Sequence, residues 1–159
     1  MRLMFLLRRK WLPTHLQPEF RFIRTLQSPH HLVFDERTGR YNVSSQAFSP
    51  SGSDGTLSGD LEQVLAADGL SPTAMYPAVP NPVGAASLTI AQIRAASASV
   101  EHDPVSSNWY HGAVKGTKPR GVKKRLSQAA VEIIPIDQGR AADLERAWKV
   151  AHSQNLPSA

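Results

Sequence analysis

The part of this 159-residue chain with the greatest capacity for chemistry is a histidine that opens into a glycine-punctuated basic loop. It reads His111-Gly112-Ala113-Val114-Lys115-Gly116-Thr117-Lys118-Pro119-Arg120-Gly121-Val122-Lys123-Lys124-Arg125. Lys115, Lys118, Arg120, Lys123, Lys124 and Arg125 lie within eleven positions with no acid among them. Such clustering concentrates positive potential and draws polyanions, nucleic acid first among them. Trp109 and Tyr110 precede the histidine, and bases can stack on exposed rings while cations neutralise phosphates. An imidazole beside lysines also suits proton transfer. His111 would act as general acid or base on a nucleotide or phosphoester, with Lys115 or Lys118 steadying negative charge as it develops.

Other constellations are thinner. Histidines stand at 15, 30, 31, 102, 111 and 152. If His30 and His31 lie on a strand they point to opposite faces, so they cannot grip one ion together. His102, Asp103 and His111 can converge only if a hairpin turns at Asp103-Pro104. No three of these residues have helical or zinc-finger spacing, so no metal site is expected. Ser44, Ser45 and Phe48 downstream of Arg37 and Arg40 are similar to the arginine and strand-serine arrangement of ADP-ribosyltransferase-like folds, with Glu62 or Glu101 as the acid. No nucleophile elbow or glycine-rich nucleotide loop occurs, and no cofactor is expected. The chain has no cysteine, which removes disulfides, thiolate zinc sites and cysteine nucleophiles together.

The net charge of +5 is unevenly laid out. Residues 1–24 carry six bases and one acid, residues 25–114 three and eight, and residues 115–159 nine and four. That dipolar arrangement suits one face offered to a polyanion or to an acidic protein partner, and it equally suits pairing of the ends with the middle. At the N-terminus, the apolar run Leu3-Met4-Phe5-Leu6-Leu7 is too short for a signal peptide and is followed by its main basic cluster. No stretch approaches the roughly 20 apolar residues that a membrane span needs. The expected location is cytoplasmic.

The elements that must position these residues follow from periodicity and punctuation. Phe20–Arg24 and His31–Phe34 read as strands, and Ser49–Gly55 as a turn-rich loop. A helix is expected from Ser58 as cap, with Leu61, Val64 and Leu65 as its apolar stripe and Gly69 as its stop. Pro72, Pro77, Pro80 and Pro82 make 70–83 a loop. Gly84–Leu88 suits a buried strand, and Thr89 with Gln92 forms a capping box for a short helix. Val100–His102, Trp109–Val114 and Val131–Ile136 read as strands. A helix over Val122–Ala130 turns Val122 and Leu126 inward, and a last helix over Arg140–Ala151 is expected to bury Leu144, Ala147, Trp148 and Ala151. Mixed elements without strict β-α-β alternation imply an α+β fold, a largely antiparallel sheet with three to four short helices. One domain over 19–151 is expected, preceded by a basic arm at 1–18 and followed by a tail at 152–159.

Several motifs in order carry a likeness: Ser44-Ser45-Gln46-Ala47-Phe48, Asp54-Gly55, Ala86–Arg94, then His102-Asp103-Pro104 with Trp109–Gly116. Together they resemble a group of small uncharacterised bacterial proteins in which a Ser-Ser-x-Ala-Phe segment precedes an Asp-Gly turn and an Asp-Pro turn leads to a histidine. The likeness spans roughly 20–136 and implies one bacterial domain with a basic loop, without an activity. Where those proteins carry arginine before the double serine, this chain has Asn42-Val43. The sequence therefore reads first as a small bacterial accessory protein that binds a polyanion, chiefly nucleic acid, through Lys115, Lys118, Arg120, Lys123, Lys124 and Arg125. The alternatives are a nucleotide or phosphoester enzyme using His111, and a docking subunit of a larger assembly.

Overall fold

The structure, a computed structural model, describes residues 15–50, 55–116 and 118–153. Residues 1–14 of the expected arm and 154–159 of the expected tail lie outside them. Phe22-Ile23-Arg24-Thr25-Leu26 is buried almost without interruption because its strand, β1 (Arg21–Leu26), sits inside a six-stranded sheet covered on both faces. The sheet is completed by β4 (Leu57–Leu61), β5 (Gly84–Thr89), β6 (Ser99–His102), β7 (His111–Lys115) and β8 (Val131–Ile134). Its order is β6-β7-β4-β1-β5-β8, with every neighbouring pair antiparallel. A separate antiparallel hairpin joins β2 (Leu32–Asp35) and β3 (Arg40–Val43). The α+β architecture expected from the sequence is what forms.

Alternation along β1 builds two cores. Phe22 and Leu26 join Leu57, Leu61, Leu88, Ile90, Ile93 and Leu126 on one face, and Ile23 joins Leu65 and Ala85 on the other. Each such leucine, sealed from water, contributes about 2 kcal/mol of transfer free energy. Ala74, Met75 and Tyr76 from the proline-rich crossing close the second face, so residues 70–83 form an ordered cover with one 3-10 turn at Tyr76–Ala78.

Among the described residues four helices accompany the sheet: α1 (Glu62–Ala67), α2 (Ile90–Ala95), α3 (Arg120–Ala129) and α4 (Gln138–Ser153). Thr89 and Gln92 make the capping box of α2 as read from the sequence, satisfying each other's free backbone donors at 3.1 and 2.9 Å. Two helix expectations are corrected. Ser58 caps nothing, because Leu57–Leu61 pairs with β1 and β7 as a strand and the helix begins only at Glu62. Alternation of Leu57, Gly59 and Leu61 on one face won over the three-four spacing of Leu61, Val64 and Leu65. In α4 only Ala141 is buried; Leu144 is half-buried, and Ala147, Trp148 and Ala151 are exposed, because among the described residues this helix packs chiefly on the turn Pro29–His31 and on β3. That contact is pinned by Gln138, whose amide accepts from the Tyr41 N–H at 2.7 Å and donates to the Tyr41 carbonyl at 3.1 Å. Tyr41 also donates its hydroxyl to Glu145. Among the described residues no helix is long and apolar enough to cross a membrane.

Candidate functional site

The basic run is partitioned by the fold. Lys118 is 8% exposed, and its ammonium donates to the carbonyls of Gly55 and Gly116 at 3.0 Å each. Burying an ammonium is tolerable only when its donors are spent in this way. Lys115 closes β7 and pairs with Glu101 across the β6–β7 hairpin. Lys123 reaches Ser49 Oγ at 3.2 Å from the half-buried side of α3. Arg120, Lys124 and Arg125 stand exposed on α3 and form no ion pair with any described residue. The six cations therefore do not converge as one site. Trp109 is buried and Tyr110 is half-buried, its hydroxyl donating to Asp68 at 2.7 Å, so neither ring lies open for stacking.

His111 faces elsewhere, into a cleft of about 320 Å³ between β1, β4 and the loop that follows β6. β4 and β7 pair so that Asp60 lies directly opposite His111, which places the two side chains on one face of the sheet. The ring is held by its Nδ1, which lies 2.6 Å from the Asp103 carbonyl. A carbonyl only accepts, so Nδ1 carries the hydrogen and the lone pair of the neutral ring sits on Nε2. Asp60 is 7% exposed and accepts from Asn108 Nδ2 at 2.6 Å. Asn108 is itself fixed: the Tyr110 N–H donates to its Oδ1 at 2.9 Å, and a tight turn back to Val105 holds its backbone. Burial raises the Asp60 carboxyl above its ordinary value, while the Asn108 amide and the neighbouring His111 pull it back down. The arrangement can take a proton at Nε2 and steady the resulting imidazolium with the adjacent carboxylate.

The opposite wall carries an unexpected charge. β1 and β4 pair only over Phe22↔Leu61 and Ile23↔Asp60, and beyond that point the guanidinium of Arg24 donates Nη1 to the Ser58 carbonyl at 2.8 Å and Nε to the Ala47 carbonyl at 3.2 Å. Arg24 is 9% exposed, and burial lowers its affinity for the proton. No carboxylate among the described residues pairs with it. Ala47 presents its carbonyl because Ser44 caps the 3-10 turn Ser45–Phe48 through the Gln46 N–H, which buries Ala47 and Phe48. Met75, Ala78, Val79 and Pro80 give the cleft an apolar side.

The remaining candidates disperse. His102 spends Nε2 on the Trp109 carbonyl at 2.6 Å, and among the described residues no three His, Asp or Glu gather as metal ligands. Ser44 and Ser45 lie in a turn, Glu62 holds Arg21 in a two-pronged pair and Glu101 pairs with Lys115, so the ADP-ribosyltransferase-like grouping is not assembled. Asp60, Asn108 and Arg24 escaped the sequence reading. The signal for Arg24 and Asp60 was a charge set inside an apolar run, Phe22-Ile23-Arg24-Thr25-Leu26 and Leu57-Ser58-Gly59-Asp60-Leu61, because such charges stay buried only for a reason.

Fold and cleft together define a single-domain α+β protein whose polar groups converge on one open pocket of the sheet. No protein-family model matches the chain, and no curated protein or solved structure matches it.

Proposed function

We propose that the protein is an acid–base enzyme acting on a small nucleotide or phosphoester in the cleft, with His111 as the proton-transferring group. The observation that carries this reading is the bond from His111 Nδ1 to the Asp103 carbonyl, which fixes the tautomer and leaves Nε2 as the basic atom beside Asp60. In the reaction, Nε2 takes the proton of a water as its oxygen attacks phosphorus. The bond from phosphorus to the leaving oxygen breaks, and the imidazolium returns the proton to that oxygen. Asp60 offsets the charge on the ring between the two transfers, and Asn108 keeps the carboxylate in place. A panel of p-nitrophenyl phosphate and common nucleotides tests it. His111→Ala is expected to lower turnover by about 10²- to 10⁴-fold with the fold intact; an unchanged rate removes His111 from the chemistry.

A second reading rests on a different observation, the three exposed cations Arg120, Lys124 and Arg125 on α3 with no acid paired to them among the described residues. They support docking of nucleic acid along that helix, independent of the cleft. In a salt titration with labelled DNA and RNA, a Lys124→Ala, Arg125→Ala variant should bind more weakly across unrelated sequences and show a shallower salt slope. Equal affinity and slope would rule out α3 as the contact.

A further inference from the structure

Arg24 is an interior cation with no interior anion. Its guanidinium has five N–H groups, and two nitrogens are spent on the carbonyls of Ala47 and Ser58. Nη2 has no hydrogen-bond partner among the described residues. No side-chain polar atom there is both sealed from solvent and unpartnered, so Nη2 keeps access to solvent although the residue as a whole is 9% exposed. Arg24 lines the same cleft as His111. The one carboxylate of that cleft, Asp60, is engaged by Asn108. Two hydroxyls on the cleft wall, those of Thr25 and Ser58, also form no hydrogen bond with a described residue. Keeping a charge buried without a partner is costly, and the cost is recovered when an anion arrives. A strand could have filled the gap between β1 and β4 with ordinary ladder bonds; a guanidinium fills it with a fork whose free end can meet oxygen.

We infer that Arg24 is the anion-recognition residue of the cleft and that the ligand is a phosphate monoester, its oxygens on Arg24 Nη2 and the Thr25 and Ser58 hydroxyls and its apolar body against Met75, Ala78, Val79 and Pro80. This deepens, and rests on, the reading of the cleft as the place where the ligand binds. Three donors suit the three terminal oxygens of a phosphate monoester better than the two of a carboxylate. A cleft of about 320 Å³ has the size of a small-molecule site.

The test is calorimetric titration of the full chain with inorganic phosphate, phenyl phosphate, benzoate and benzyl alcohol. Phenyl phosphate should bind tightest, because it alone engages both walls. Arg24→Gln should weaken it by about 10- to 100-fold, the span of one charge-assisted hydrogen bond. Binding of phenyl phosphate within threefold of wild type in folded Arg24→Gln overturns the assignment. Benzoate binding as tightly as phenyl phosphate overturns the phosphate class. If Arg24→Gln does not fold, the Arg24 Nε–H resonance of the wild type decides, since it must move on titration with phenyl phosphate. Arg24-dependent binding without turnover of any phosphoester would sink the enzyme reading and leave this one standing.

Discussion

His31 gives the fold a defined response to acid. It ends the 3-10 turn Pro29–His31, and its Nδ1 accepts from the Gln27 N–H at 3.2 Å, a bond that requires an unprotonated nitrogen. Burial, then the Arg24 charge, then His30 lower its pKa from 6.5 to about 4. The unfolded chain binds a proton on this ring as pH falls through 6.5, whereas the folded chain binds it only near 4. Stability from this residue is therefore complete above pH 6.5, is lost progressively between there and about 4, and changes no further below. The full gap corresponds to about 3 kcal/mol; because the ring is only partly sealed, solvent screening brings the expected loss to about 2 kcal/mol. His31→Asn puts an amide oxygen where Nδ1 accepts and removes the titration. In urea unfolding at pH 8, 6, 5 and 4, the stability advantage of wild type over this variant should shrink by about 2 kcal/mol from the highest pH to the lowest. Groups common to both proteins cancel in that difference. An advantage that stays level across the series would refute the buried neutral ring.

Two further outcomes concern the basic run and the glycines of the paired strands β4 and β7. Lys118→Met should cost about 1–3 kcal/mol by orphaning the Gly55 and Gly116 carbonyls, whereas Lys124→Ala should leave the thermal midpoint nearly unchanged; equal midpoints for the two variants would contradict the tucked position of Lys118. Gly59→Ala should be the harsher of two glycine substitutions. Its added carbon would stand 2.5 Å from the Ile23 carbonyl and against the Phe22 ring, while at Gly112 the nearest atoms all belong to the Leu61 side chain, the first at 2.6 Å. Overpacking of about 1–3 kcal/mol is expected at Gly59 and less at Gly112, by chemical denaturation; the reverse order would mean that the Ile23 backbone can yield.

What the sequence displayed and what it hid follow from range. The capping box at Thr89 and Gln92 spans three residues, and the prolines of 70–83 act on their own backbone, so both were legible. So was α3, whose Val122 and Leu126 repeat at one helical turn. Strand β4 was misread because Leu61 ends a strand and precedes a helix, which makes a two-residue period look like a longer one. The cleft was hidden for a deeper reason. Asp60 and His111 meet only through the register of β4 against β7, and Arg24 reaches Ser58 only because the β1–β4 ladder stops early. The basic run failed as a single site for a similar cause: Lys118 finds its partners in Gly55, sixty-three residues away, and no local pattern announces that contact.

The clasp between Gln138 and Tyr41 bears on the outer edge of the small hairpin. One side-chain amide supplies both the acceptor and the donor that a neighbouring strand would have offered to β3. An exposed strand edge is a template for pairing with another chain, and at Tyr41 this one is occupied by a single side chain of α4. The hairpin can therefore lie apart from the main sheet, with Val33 and Phe34 open to water, without inviting a third strand onto that edge. Removal of the Gln138 amide would make the margin adhesive: the same residues, with the same apolar surface, would gain a free N–H and a free carbonyl in register for a second copy of the hairpin.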